Sequence, residues 1–520
     1  MKKTITSANA GKGGTGKMTI LTRNTILLVL AISMLLAVLV GCKGPGSSTS
    51  SSERTEASTA AESERSFQEV LDELNEYSLA GETYTIYAGG ENVADQSSFG
   101  NGNFLTDAVY RRNAAVEKLF SITIQYAPVP AGATSAMLCE RLVADWQIYG
   151  NSCDLVMLPA VSMGILSVYD GLFADLRTAE ELNLSNPWWS RSAVEELTLL
   201  DHTYLTVGAI NHDAIANAEA LLCNKTAFSE LYPNRDLYRI IENRQWTREE
   251  LLRLSVVLPE HESVTWGYTG DHASIAESML VSSGVSIFSR SSPIGYAFDV
   301  GSAGDRMVEL RTWSLMPRAN WNLVEDRQSS ISAFRNETTL FCSICLGDLN
   351  NGSLKDCGFE WVLLPFPTSV AGEEYATAVA DGFSALAIPK GRISQKSAVV
   401  LEALNAYDYY LYLPSVYNYM LSGSYSSDQQ AADMMDLILD RRVFNFARIY
   451  GGDAGEHAGE YFILLQSLLT GEAVQPQLES RGEQVRDHWI RVFLSFGFSA
   501  RLCSAFPHLD FRPPIIEPVE

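Results

Sequence analysis

The apolar positions change period along the chain, and each change marks an element. "TYTIYA", Thr83 to Ala88, is a β-prone run ended by Gly89-Gly90. "LTDAVYRRNAAVEKLF" then brings Leu105, Val109, Val116 and Phe120 round at helical spacing. "SITIQYAPV" returns to a strand, "MLCERLVADWQIYG" to a helix, and "CDLVML", Cys153 to Leu158, to a buried strand. Strand, helix, strand, helix, strand predicts parallel strands joined by right-handed crossovers, so the first lobe is expected to be α/β. In an open parallel sheet a ligand lies beyond the carboxyl ends of the strands, here Gly90-Glu91-Asn92 and Pro159-Ala160-Val161.

Further along, "HTYLTVGA" and "AEALLCNKTAF" read as a strand pair, the second opening into a helix. "QWTREELLRLSVVL" starts a helix at Thr247, with Glu250 placed to complete a capping box. "FEWVLLPFP", "GFSALAIPKG" and the helical "QKSAVVLEALNAYDYYLYL" repeat the α/β alternation, and "AADMMDLILDRRVFNFARIY" is a last helical stretch. Before all of these, "FQEVLDELNEY" puts Phe67, Val70, Leu71, Leu74 and Tyr77 on one helical face, a short amphipathic helix over 67–80 with a face to dock on the body.

The first residues carry a different pattern. "GKGGTGKMT" imitates a phosphate-binding loop, but Met18 stands where that loop needs a hydroxyl for Mg²⁺, and no strand precedes it. Lys2, Lys3, Lys12, Lys17 and Arg23 instead precede the uncharged run "TILLVLAISMLLAVLVG", the layout of an export signal over 1–41. Translation from Met18 is the other reading of the opening residues. The segment 42–66 is rich in Ser, Thr, Ala and Glu and too poor in apolar groups to offset the entropy of ordering, so it reads as a tether.

Composition narrows the functional classes. The formal net charge is −24, and loss of residues 1–41 removes five basic residues and no acidic one. No basic cluster of the kind that displaces counterions from nucleic acid remains. Eight cysteines, one of them Cys42, are scattered rather than paired, and Cys342-Ser-Ile-Cys345 has no second pair to complete a zinc site. No HExxH or GxSxG motif occurs and the seven His are dispersed, so no catalytic residue, cofactor or metal is assigned.

Two resemblances follow from these stretches. "LVGC", Leu39 to Cys42, resembles the lipobox of bacterial lipoproteins, which implies cleavage before Cys42 and a lipid on its thiol. In order, "TDAVYRRNAAVEKLF", "CDLVML", "LNLSNPWW", "AEALLCNKTAFSELYP", "DLYRIIENRQWTREELLRL", "GFSALAIPK" and "SDQQAADMMDLI" resemble the extracellular solute-binding proteins of ABC importers, in the branch that includes maltose-binding proteins. The resemblance implies a two-lobed periplasmic-binding-protein-like fold with hinge crossover strands. It implies an N-terminal lobe over 81–213 and 364–425, a C-terminal lobe over 214–363 and 426–520, and a first hinge near Ala214 to Leu222. The implied role is capture of a small solute, an oligosaccharide before others, by a lipid-anchored extracytoplasmic monomer that delivers it to permease subunits. An exported glycan-processing hydrolase and a surface sensor or adhesion lipoprotein are the alternatives.

A sugar cleft calls for aromatic platforms and for carboxylates or amides that satisfy hydroxyls. The candidates are Glu91 and Asn92 after the first strand; Trp188 and Trp189, one as platform and one as core; Trp266 and Trp321; Asn217 and Glu219 at the hinge; and Asp348 and Asp381, each ending an apolar run. For the aspartates turn-capping competes, and for the tryptophans packing does. The six tyrosines of "YDYYLYLPSVYNY" are read mainly as packing.

Overall fold

In the computed structural model the described residues are 66–89, 104–129, 133–150, 152–169, 172–199, 201–256, 264–284, 320–349, 357–415 and 429–450, with short pieces at 288–289, 297–298 and 354. The segment read as an export signal, the segment read as a tether up to Arg65, Cys42, Glu91 and Asn92 lie outside them. In chain order the strands are β1 (Thr83–Ala88), β2 (Thr123–Tyr126), β3 (Leu155–Pro159), β4 (Glu219–Asn224), β5 (Trp266–Asp271), β6 (Phe288–Ser289) and β7 (Ala297–Phe298). They continue with β8 (Trp321–Val324), β9 (Thr339–Cys345), β10 (Trp361–Leu364), β11 (Thr377–Ala378), β12 (Ser384–Ala387) and β13 (Arg442–Val443).

The first large sheet has the order β12-β3-β1-β2. β1 is parallel to both neighbours, with Ile86 opposite Tyr126 on one side and Leu155 on the other. The helices Phe104–Phe120 and Ser135–Tyr149 make the two crossovers, as the alternation predicts. Local chemistry sets the limits of the second helix. Thr134 accepts a hydrogen bond from Met137 N at its start, and Gly150, at φ 68°, ends it in the left-handed conformation that glycine adopts without steric cost. β12 closes the sheet antiparallel to β3.

The second large sheet runs β10-β4-β9-β5-β8, with β5 parallel to β9 and β8, and β4 antiparallel to β9 and β10. β4, β9 and β10 are buried along their whole length, which is why "EALLCN", "TLFCSIC" and "WVLL" are nearly unbroken apolar runs rather than alternating ones. The Cys342/Cys345 pair lies inside β9, buried and free, and burial pushes both thiols up.

Three stretches pass side by side between the sheets. Residues leading into β4 bridge the second stretch through Ala218 and Val379, Ala380 N donates to Asn217 O at 2.8 Å, and β11 pairs in parallel with β13. The chain is therefore α/β and two-lobed, each lobe built on one sheet and joined to the other by crossovers near Asn217, Val379 and Arg442. The helix Phe67–Leu74, started by a reciprocal Ser66/Glu69 capping box, docks on the first lobe, where Phe67 meets Tyr407 edge-on at 5.2 Å.

Three expectations are corrected. "HTYLTVGA" forms isolated bridges, not a strand: Thr206 exchanges backbone hydrogen bonds with Leu386 on the edge of β12, and the chain then turns at Gly208, whose N–H Asn211 Oδ1 accepts. The last helical stretch is two helices, Gln429–Asp440 and Phe446–Tyr450, separated by β13, because Arg441 O accepts from Thr377 N and Arg442 is drawn into the crossover ladder. At Thr247 half of the capping box forms. Its hydroxyl accepts from Glu250 N, while the Glu250 carboxylate pairs with Arg235 and Arg253.

Candidate functional site

β9, β5 and β8 are parallel, so their carboxyl ends share one edge of the second sheet. Antiparallel β4 begins at that same edge, with Glu219 opposite Cys345 and Asp271 opposite Val324. The edge abuts the crossovers, since Leu346 N donates to Ala218 O at 2.9 Å. Each strand delivers a polar residue there because the following element needs a cap. Asp271 caps the helix His272–Ser282, Asp326 caps Arg327–Arg335, and Asp348 Oδ2 accepts from Cys345 N at 2.9 Å.

Arg327 stands at the centre of this edge. Its Nη2 donates to Ser274 Oγ at 2.7 Å, and its guanidinium lies 3.6 Å from Glu219, 3.7 Å from Asp271 and 4.0 Å from Asp348. Arg327 Nε and Asp271 Oδ2, 3.7 Å apart, are both buried and neither makes a hydrogen bond. Ser278 Oγ donates to Glu219. Burial first, and then the charge of Glu277, push the Glu219 carboxyl up to about 8 against the pull of Arg327. Burial likewise raises Glu277, opposed by its partner Arg448, and raises Asp348, opposed by the Cys345 N–H and Arg327. Asp381 lies at the exposed margin, 3.7 Å from Arg448, its Oδ1 accepting from Gly382 N.

Of the residues singled out from the sequence, Glu219 and Asp348 meet around Arg327. Asn217 and Asp381 border them on the crossovers. The tryptophans lie elsewhere. Trp188 and Trp189 are 3% and 4% exposed and belong to the first lobe's core, Trp188 edge-on to Tyr410 and Trp189 bonded to Glu402. Trp321 is buried, stacked on Tyr268 at 4.2 Å, and donates to Ser255. Trp266 opens β5, a strand length, roughly 16 Å, from Asp271. Burial thus commits Trp188, Trp189 and Trp321 to packing.

Sequence reasoning did not single out Asp271, Glu277, Arg327 or Arg448. Asp271 carries the same signal as Asp348, an acidic residue ending an apolar run. The other three show no local signal, because what distinguishes them is which elements fold beside theirs. Among the described residues no grouping of His, Cys, Asp and Glu is arranged to hold a metal ion, and no helix is long and apolar enough to cross a membrane.

Two sheets with parallel cores, their adjoining ends linked by crossovers, place the chain in the periplasmic-binding-protein-like class of folds. No family model and no curated protein matches the sequence. Among solved structures the chain is similar to UgpB from Mycobacterium tuberculosis in complex with glycerophosphocholine, at 12% identity and a TM-score of 0.48, over 79% of this chain and 99% of that one. It is similar to an ABC substrate-binding protein from Listeria monocytogenes in complex with cycloalternan, at 11% identity and a TM-score of 0.43, over 78% and 98%. A third is the maltotriose binding protein of Thermus thermophilus bound with maltotriose, at 13% identity and a TM-score of 0.45, over 78% and 99%.

Proposed function

We propose that the chain is an extracytoplasmic solute-binding protein that takes a polyhydroxylated small solute, an oligosaccharide, between its lobes and delivers it to an ABC permease. The observation that carries this reading is the unmatched pair at the crossover edge, Asp271 Oδ2 and Arg327 Nε. A buried acceptor and a buried donor that make no hydrogen bond each carry a desolvation penalty of about 1–3 kcal/mol, which their ion pairing at 3.7 Å offsets only in part. A sugar hydroxyl is donor and acceptor at once and satisfies both. Glu219 and Asp348, on the same guanidinium, supply acceptors for neighbouring hydroxyls.

Lobes joined by crossovers close by bending there, and a solute promotes closure only as far as it binds the closed form better than the open one. Export and anchoring rest on the sequence, on the apolar run before Cys42 and the tether after it, and the protein works as a lipid-held monomer. Neither cofactor nor metal has a part in this reading.

Titration calorimetry against a panel of neutral oligosaccharides tests it. Saturable binding is expected, together with compaction in solution scattering and no conversion of the ligand. Arg327→Gln and Asp271→Asn are expected to weaken binding at least tenfold, a change of about 1.4 kcal/mol. Absence of binding by every sugar, or multiple turnover of one, overturns the proposal.

A further inference from the structure

Arg448 connects the two lobes without belonging to the Arg327 cluster. The helix that carries it, Phe446–Tyr450, is seated on the first lobe: Tyr450 Oη donates to Leu197 O at 2.9 Å, and the helix packs against Ala160–Tyr169. The two helices approach so closely that a Cβ on Gly164 would lie 1.9 Å from Ile449 O. The Arg448 guanidinium faces the other way. Nη1 donates to Glu277 on the second-lobe helix His272–Ser282 and to Val379 O, 3.3 Å away on a crossover, while Nη2 approaches Asp381. Arg448 and Glu277 are 4% and 7% exposed.

Glu277 in turn belongs to the wall of the candidate site. Its helix is capped by Asp271, and the next residue, Ser278, donates to Glu219. A continuous run of contacts therefore leads from the first lobe through Arg448 and Glu277 to Glu219 and Asp271, two of the three carboxylates around Arg327. We infer that Arg448 is a positioning residue, a clasp that sets the angle between the lobes in the solute-free protein and holds the Asp271/Glu219 wall in its binding geometry. Bending at the crossovers shifts Phe446–Tyr450 against His272–Ser282, so it must break the buried pair or carry it along. A buried pair broken on one side leaves an uncompensated charge, which confines the solute-free protein to the angles that keep the pair intact. The part of this inference that concerns affinity rests on the solute-binding reading; the part that concerns lobe angle does not.

Solution scattering of the full mature chain without solute, combined with calorimetry against the oligosaccharide panel, tests the clasp. The double variant Arg448→Met/Glu277→Leu replaces the pair by apolar groups, and Glu277→Gln keeps the shape while removing the charge. Both are expected to fold, to broaden the solute-free distribution of lobe separations, and to change oligosaccharide affinity by about fivefold or more. Arg448→Lys, which keeps the charge, is expected to restore most of the wild-type profile. Folded variants whose solute-free scattering equals that of wild type, with only the melting temperature lowered, overturn the inference and leave the pair a structural one. If the double variant does not fold, the scattering of Glu277→Gln decides in the same way. Should wild type bind no sugar, the functional reading fails, and the solute-free scattering still decides for or against the clasp.

Discussion

Trp189 Nε1 donates to Glu402 Oε2 at 3.0 Å, although 213 residues separate them. The other carboxylate oxygen accepts from Asn186 Nδ2. Glu402 sits on the helix Gln395–Tyr407, all of whose residues from Ser397 onward are buried, so this one acid ties the Asn186–Trp189 loop to the first lobe's core.

Replacing that acid tests its role in stability. Glu402→Leu strands an indole N–H and an amide N–H, and a loss of about 3 kcal/mol is expected in urea unfolding. Glu402→Gln keeps an acceptor for one of the two donors, and about 1 kcal/mol is expected.

Stability is also expected to depend on pH in a definite direction. Burial raises Asp213 to about 6, Glu402 to about 7 and Glu219 to about 8. The folded chain then holds these protons more tightly than the unfolded chain. The corresponding stability is complete below the ordinary carboxylate values and is lost as pH rises through the folded ones, each unit of displacement being worth about 1.4 kcal/mol. The melting temperature should fall between about pH 4.5 and about pH 8. Glu219→Gln should flatten the upper part of that fall, above the range in which Asp213 and Glu402 titrate, as followed by calorimetry across a pH series.

Gly164→Ala places a methyl group where Ile449 O stands, 1.9 Å away, and the opposing atom is backbone. A loss of about 2 kcal/mol is expected from the forced shift of Phe446–Tyr450. Gly358→Ala, whose Cβ would meet only Glu337 Oε1 at 3.4 Å, serves as the control and should stay within about 0.5 kcal/mol. Chemical denaturation of both variants checks the contrast.

Asp408 is completely buried with Arg112, which is 1% exposed, at 3.0 Å, and with His212 at 2.8 Å. It opens the π-helical turn Asp408–Tyr412. Asp408→Ala leaves a buried guanidinium without its counter-charge, and a loss of about 3–5 kcal/mol is expected in thermal unfolding. Arg112→Met/Asp408→Leu should recover a large part of it, because the paired ions are removed together.

How much was legible in the sequence follows from how local each signal is. β1, β3 and the helices between the strands of the first sheet are written in runs of five to seventeen residues whose period needs no partner to be read. "HTYLTVGA" has the composition of a strand, yet its pairing is settled by the edge of β12, which accommodates Thr206 and little more. The helical period of "DLILDRRVFNF" continues through Arg441 and Arg442, and only the approach of β11 breaks it. In the candidate site, Glu219 could be singled out by its place at the expected hinge and Asp348 as an acidic residue ending an apolar run. Trp188, Trp189 and Trp321 attracted notice for their chemistry, but the fold uses them for packing.

The sequence alone determined that the chain is α/β, that its parallel strands are connected by helices, and that it is strongly acidic. Those properties depend on period, composition and short-range caps. Which side chains share the crossover edge was decided only by tertiary structure. Arg327, Glu277 and Arg448 come together because strand order and crossover position bring distant segments to one place. A charged residue shows no sign of its partners until the surrounding elements have removed the water that would otherwise solvate it.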